Sequence, residues 1–283
     1  MKKLALIFVM LALSSFGFAA PPAAARSNPQ AESAAVLAQQ NVAQAATHSP
    51  LATSACSFTF ASGSGDTFLH YCVTANGNIT QLETPQGHEH IAIGAKGEGY
   101  GFCDDVPKTA YFDYADFGDS GNWSPATVLS QSPTSVKIAR TTRNGIWTLT
   151  QTVTQVASSS PSVRVAMTLT NNSTVDRFAT ILRFADVDAD GFVNNNVDST
   201  FDSAFVWNSI GSNHGFGLMI QNVVKGAFFT PLTETTASPP DVCNLVQNVL
   251  FQSNTDGSMG MYYLGIPVPK GTSITETISY TGL

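Results

Sequence analysis

Ser162-Val163-Arg164-Val165-Ala166-Met167-Thr168-Leu169 sets large apolar residues at every second position. Successive side chains of a β-strand point to opposite faces. Val163, Val165, Met167 and Leu169 therefore share one face, the pattern of a half-buried strand. Asn171-Asn172-Ser173 supplies turn material. Phe178-Ala179-Thr180-Ile181-Leu182-Arg183-Phe184 then reads as a second strand, with Phe178, Leu182 and Phe184 on one face. Similar runs recur at 136–141, 146–156, 216–224, 259–268 and 274–280. No segment after residue 56 carries a sustained helical stripe, and no fixed-period repeat marks a propeller or solenoid. About 225 residues with ten or more short strands predict an all-β fold, a large antiparallel β-sandwich or supersandwich.

The N-terminus sets the compartment. Lys2 and Lys3 precede an apolar run from Leu4 to Leu13, and Gly17 and Ala19 suit a signal-peptidase site before Ala20. The run is shorter than the ~20 apolar residues a bilayer span needs. Residues 1–19 are expected to be a signal peptide, and no later stretch reaches transmembrane length. Residues 20–54 are rich in Ala, Gln and Ser and nearly free of aromatics. Such a stretch cannot bury a core and is expected to be a linker or flexible arm. The folded domain is expected at 55–283, in an exported chain, secreted or periplasmic.

Loss of Lys2 and Lys3 takes the formal charge from -7 to -9. An acidic chain with 12% charged residues argues against nucleic acid and anionic lipid as partners, since both reward clustered basic residues. Cys56, Cys72, Cys103 and Cys243 are four in an exported chain, so disulfides are expected. Three pairings are possible. Cys56–Cys72, a local staple, with Cys103–Cys243, a long-range closure, is the favoured one. Zinc is disfavoured, because no C-x-x-C pair exists.

Asp186-Val187-Asp188-Ala189-Asp190-Gly191 places three carboxylates at alternate positions before a glycine. Calcium is a hard cation that takes six to eight oxygens, and aspartates so spaced in a tight turn can converge on it. The expected ligands are Asp186, Asp188 and Asp190, with the Phe192 carbonyl, and Asn194, Asn196, Asp198 or Asp202 completing the shell. The ion is expected to support the fold. The competing reading is an Asx-rich turn with solvated aspartates.

Two further clusters bear on function. His88 and His90 share a side if 88–93 is a strand, and can then ligate a metal with His70 or His214. Tyr111-Phe112-Asp113-Tyr114-Ala115-Asp116-Phe117, continuing to Trp123, combines aromatics with carboxylates. Rings that stack on sugar faces beside acids that take hydroxyls are how proteins grip carbohydrate. Tyr111, Asp113, Tyr114, Asp116 and Trp123 are therefore candidate ligand residues. The same composition also describes a buried aromatic strand. Glu83, Glu89 and Glu98 are the first candidates for a proton donor. No G-x-S-x-G elbow, Walker loop or Rossmann glycine pattern is present.

The opening of the acidic loop resembles EF-hand and dockerin-type calcium loops over about 12 residues. It departs from them at Val197, where the EF-hand has its bidentate Glu, and its flanks read as strand. The stretch from Arg164-Val165-Ala166 through Asn171-Asn172-Ser173 to Phe184-Ala185-Asp186-Val187-Asp188 looks like uncharacterised secreted bacterial β-sandwich proteins. Gly97-Glu98-Gly99-Tyr100-Gly101-Phe102-Cys103-Asp104 has the same character. The strand–Asn turn–strand order is also similar to supersandwich domains of sugar-acting enzymes. These resemblances imply a fold and carry no catalytic residue. The expected function is a calcium-stabilised β-sandwich that binds carbohydrate or cell-surface material. The alternatives are a carbohydrate-active enzyme using an Asp/Glu pair and a structural or adhesive surface protein.

Overall fold

The alternation at 162–169 becomes a strand whose inner positions Val163, Val165, Met167 and Leu169 are all buried, while Arg164 opposite them is exposed. Each such side chain stabilises the fold by roughly 1.5–3 kcal/mol. The computed structural model describes residues 55–91, 97–115, 117–210, 213–224, 229–234, 239–244 and 251–283. The expected signal peptide (1–19) and arm (20–54) lie outside the described residues.

In chain order the strands are β1 (Cys56–Ser62), β2 (Leu69–Thr74), β3 (Ile79–Glu83), β4 (Gly99–Asp104), β5 (Thr109–Tyr114) and β6 (Gly118–Asp119). They continue with β7 (Thr127–Ser132), β8 (Ser135–Thr141), β9 (Trp147–Val156), β10 (Ser162–Asn171), β11 (Arg177–Asp186) and β12 (Asn195–Ser199). The last are β13 (Ser203–Ile210), β14 (Asn213–Asn222), β15 (Phe229–Glu234), β16 (Gln252–Thr255), β17 (Ser258–Val268) and β18 (Ser273–Gly282). They form three antiparallel sheets. The largest has nine strands, ordered β16-β12-β13-β14-β18-β10-β9-β8-β7. A six-stranded sheet runs β15-β17-β11-β4-β5-β6, and β1-β2-β3 form the third.

The two large sheets share one core. Leu149, Val153, Val163 and Val165 from the larger meet Phe102, Ile181, Met261 and Tyr263 from the smaller. Phe102 and Trp147 touch edge to face, with ring centroids 5.6 Å apart. This is the expected sandwich. The second strand, β11, keeps the expected alternation, with Ala179 and Ile181 in this core and Leu182 and Phe184 on the other side. The register shift opposite Ala179 and Ile181 belongs to β17 and leaves the pairing of β11 with β4 continuous. Leu182 and Phe184 are buried, and Phe178, at the start of the strand on the same side, is 51% exposed.

Both faces of β11 are covered, because the six-stranded sheet carries a second cluster on its far side. Tyr114, Leu182, Phe184, Tyr262 and Leu232 pack there under Val242. The disulfide Cys103–Cys243 holds that segment in place, and Cys56–Cys72 joins β1 to β2. The pairing is the favoured one. Closing sequence separations of 140 and 16 residues is worth about 5 and 3 kcal/mol in the chain-entropy account.

Buried ions lock the small sheet's β2–β3 turn onto both large sheets. Arg183 on β11 is fully buried and donates to Glu98, to Gln151 on β9 and to the Gly77 carbonyl. Arg140 on β8 pairs with Asp113 and Asp119, and Asp113 also accepts from Asn76 and Asn78 at 2.8 and 2.9 Å.

Candidate functional site

The acidic stretch starts in β11 and leaves it. Asp186 is its last residue, 4% exposed. The Val187 amide donates to the Gly257 carbonyl and the Asp188 amide to the His90 carbonyl. The chain then makes a short 3-10 turn, Ala189–Gly191, in which Asp190 adopts a left-handed φ of 58° and Gly191 follows at 77°. A non-glycine residue tolerates that region mainly when it is Asn or Asp, and the glycine completes the reversal.

The reversal decides which carboxylates meet. Asp190 is turned away from Asp186 and Asp188. Its Oδ1 lies 2.8 Å from His88 Nδ1, and its Oδ2 accepts from Asn208 at 3.4 Å. Asp256, 70 residues after Asp186 in the chain, takes the third place. One oxygen each from Asp186, Asp188 and Asp256 lie within 4.8 Å of one another. Burial, and then the negative charge of Asp256, raises the Asp188 carboxyl above its ordinary value. Asn195 lies beside this cluster, paired with Thr255, next to Asp256 in the chain. Its amide N–H donates to the carbonyls of Val187 and Phe192, while its Oδ1 is buried without a hydrogen-bond partner. Three hard oxygens within 4.8 Å of one another form a donor set that can hold a metal ion.

Other expected ligands have partners of their own. Asp190 is taken by His88 and Asn208. The Phe192 carbonyl accepts the Asn195 amide at 2.6 Å, and Asp198 accepts its neighbour Ser199 N–H at 2.7 Å on β12. Asp256 and Asn195 are the residues that spacing along the chain could not reveal. The Asp-Gly step at 256–257 is a turn signal, not a ligand signal.

Among the described residues the histidines form no metal site. Residues 84–91 are turn and bridge, not strand, so the same-side argument fails. His88 stacks on Phe216 with ring centroids 3.4 Å apart. His90 is fully buried with Nε2 2.7 Å from the Thr84 carbonyl, and burial lowers its pKa. His70 sits 3.9 Å from Glu83. The side chain of His214 lies outside the described residues. Among the described residues the aspartate trio is the one cluster with metal-ligand spacing.

The aromatic stretch is core. Tyr111, Asp113, Tyr114 and Trp123 are at most 3% exposed, and Asp116 lies outside the described residues. Both faces of β5 are covered, so the rings pack inward. Tyr111 stacks on Phe102 at 4.8 Å, Trp123 lies edge-on to both, and Asp113 is bound by Arg140. Burial nevertheless pushes the Asp113 carboxyl up to about 6. The glutamates singled out as proton donors are also engaged. Glu98 pairs with Arg183 and also accepts from Ile79 N–H and the Tyr280 hydroxyl at 3.0 Å. Glu89 accepts backbone N–H groups of Leu82, His90 and Ile91, and burial takes it up to about 7. Glu83 accepts the Gly87 N–H at 2.6 Å.

No family model and no curated protein matches the sequence. Solved structures align with the chain. A bacterial glucoamylase complexed with acarbose aligns with a TM-score of 0.52 at 7% identity, over 82% of this chain and 32% of that one. Heparan sulfate lyase HepC from Pedobacter heparinus aligns at 0.46 and 10% identity, over 83% and 36%. A putative aldose 1-epimerase from Escherichia coli K12 aligns at 0.42 and 8% identity, over 80% and 99%. The chain thus spans about a third of the length of the glucoamylase and the lyase. At these identities the likeness concerns the fold. Among the described residues no helix is long and apolar enough to cross a membrane.

Proposed function

We propose that this chain is an exported β-sandwich protein that holds a structural calcium ion at Asp186, Asp188 and Asp256 and binds carbohydrate. One observation carries the ion reading: carboxylates from two distant chain segments converge at one point. Like charges so placed repel, and a divalent cation offsets that repulsion while tying β11 to the segment before β17. Asn195 offers a further oxygen. Oxygen-only donors suit calcium over softer metals.

Export rests on the reading of 1–19 as a signal peptide and 20–54 as an arm before a domain at 55–283. The two disulfides support an oxidising compartment. Sugar as ligand class is supported by the fold shared with the glucoamylase, which was solved with acarbose bound. Binding, not hydrolysis, is favoured because Glu98 and Asp113 are committed to buried arginines and Glu89 to backbone N–H groups.

Two measurements test the two halves separately. Titration calorimetry of chelated protein with calcium chloride should show binding at one site; absence of heat and of any melting shift would remove the ion. Glycan arrays and polysaccharide pull-down should show retention; none on any glycan would remove the ligand class.

A further inference from the structure

The geometry points to the outer face of β12–β14 as a binding cleft for neutral pyranose sugars, built on Trp207. This rests on the carbohydrate reading above and adds its site and sugar class. Alternation along β13 sends Ala204, Val206 and Asn208 into the protein, so Phe205 and Trp207 face the other way. Asp198 pairs with Phe205 across the β12–β13 ladder and shares that outer face, because Val197 beside it is buried in the core. Asp198, Phe205, Trp207, Gly215 and Leu283 line a cleft of about 320 Å³. That is the size of a small-molecule site, and too small for a folded partner.

Trp207 is laid down by its neighbours. It pairs with Gly217 on β14, where an added Cβ would come 2.5 Å from the Trp207 Cβ. Gly215 likewise adds no side chain to the lining. The Phe251 ring stands 6.3 Å from the indole, tilted 31° and 61% exposed. One ring can serve as a platform and the other as a wall. A pyranose presents an apolar C–H face to such a platform and a rim of hydroxyls to an acceptor. Asp198 supplies that acceptor, since one of its oxygens takes the Ser199 N–H and the carboxylate has further lone pairs. The described lining residues include this carboxylate and no Lys or Arg. Charge therefore selects against sulfated and uronic sugars and for neutral ones.

The chain has three tryptophans, of which Trp123 and Trp147 are fully buried and Trp207 is partly exposed. Acrylamide quenching of the native protein therefore reports on Trp207. The test titrates cellohexaose, maltoheptaose and chitohexaose, with a sulfated oligosaccharide as comparison, in calcium-containing buffer. At least one neutral sugar is expected to shield the indole from acrylamide. Trp207→Ala is expected to weaken its binding by about tenfold or more, and Asp198→Asn by about tenfold. Shielding in the wild-type protein decides the matter if Trp207→Ala does not fold. Neutral sugar binding with no shielding, and unchanged affinity in both variants, would overturn the site and leave the carbohydrate reading standing. Preference for the sulfated sugar would overturn the sugar class. Failure of every glycan to bind would overturn both readings.

Discussion

Asp256→Asn separates the geometry of the aspartate trio from the spacing of the acidic loop. A calcium site built from few carboxylates on an extracellular module has a dissociation constant near ~10⁻⁴ M. At about 10 mM calcium the ion then stabilises the native state by roughly 2.7 kcal/mol. For a domain of this size each kcal/mol moves Tm by about 2–4 °C, so calcium should raise the wild-type Tm by about 5–10 °C over chelator. Asp256→Asn removes one of the three converging carboxylates and should abolish most of that shift. In chelator the same variant should melt at or above the wild-type temperature, because the charge that raises the Asp188 carboxyl is gone. Asp190→Asn should keep the calcium shift, because Asp190 is held by His88 and Asn208. Differential scanning fluorimetry of the three proteins with calcium and with chelator is the assay. A full calcium shift in Asp256→Asn together with its loss in Asp190→Asn would refute the geometric argument. No shift in the wild-type protein would refute the ion.

Arg183→Met should cost about 3–5 kcal/mol, the usual penalty for stranding a buried charge, here Glu98. Chemical denaturation should show Glu98→Gln combined with Arg183→Met recovering part of that loss; no recovery would count against the pair as the cause. Glu276 is 7% exposed with Oε2 lacking a partner, and burial takes its carboxyl from the ordinary carboxylate range up to about 7. An acid with a raised folded pKa contributes stability that is fully present below its unfolded pKa and lost as pH rises through about 7. Glu276→Gln should therefore gain Tm relative to wild type between pH 5 and pH 8. An unchanged difference between those two values would show that Glu276 is not what makes stability fall.

Much of the fold was legible because its signal is local. The period-two run at 162–169 needs only neighbouring residues to declare a strand with one buried face, and Val163, Val165, Met167 and Leu169 are buried as that pattern requires. Along β11 the alternation also holds, with Phe178 on the side of Leu182 and Phe184, but burial does not follow from it: Phe178 is 51% exposed, because what covers a face is set by segments distant in the chain. The aromatic stretch at 111–123 misled for a related reason. Rings beside acids describe both an exposed sugar platform and a buried strand, and what buries these is far away in the chain: Tyr111 and Trp123 enter the main core, and Tyr114 packs with Val242.

Composition and local pattern were enough for the all-β class and for an acidic turn at 186–191. The favoured cysteine pairing also holds, but it is the pairing of β1 with β2 and the contact of Cys103 with Cys243 that decide among the three possibilities. Tertiary structure decided the partners. Asp256 replaces Asp190 because a left-handed residue turns one carboxylate toward His88 while the segment ahead of β17 brings another in. Arg183 meets Glu98, and Trp207 lies over Gly217, by the same kind of convergence. Alternation tells which face a side chain takes, but which residues share that space depends on sheet order and packing.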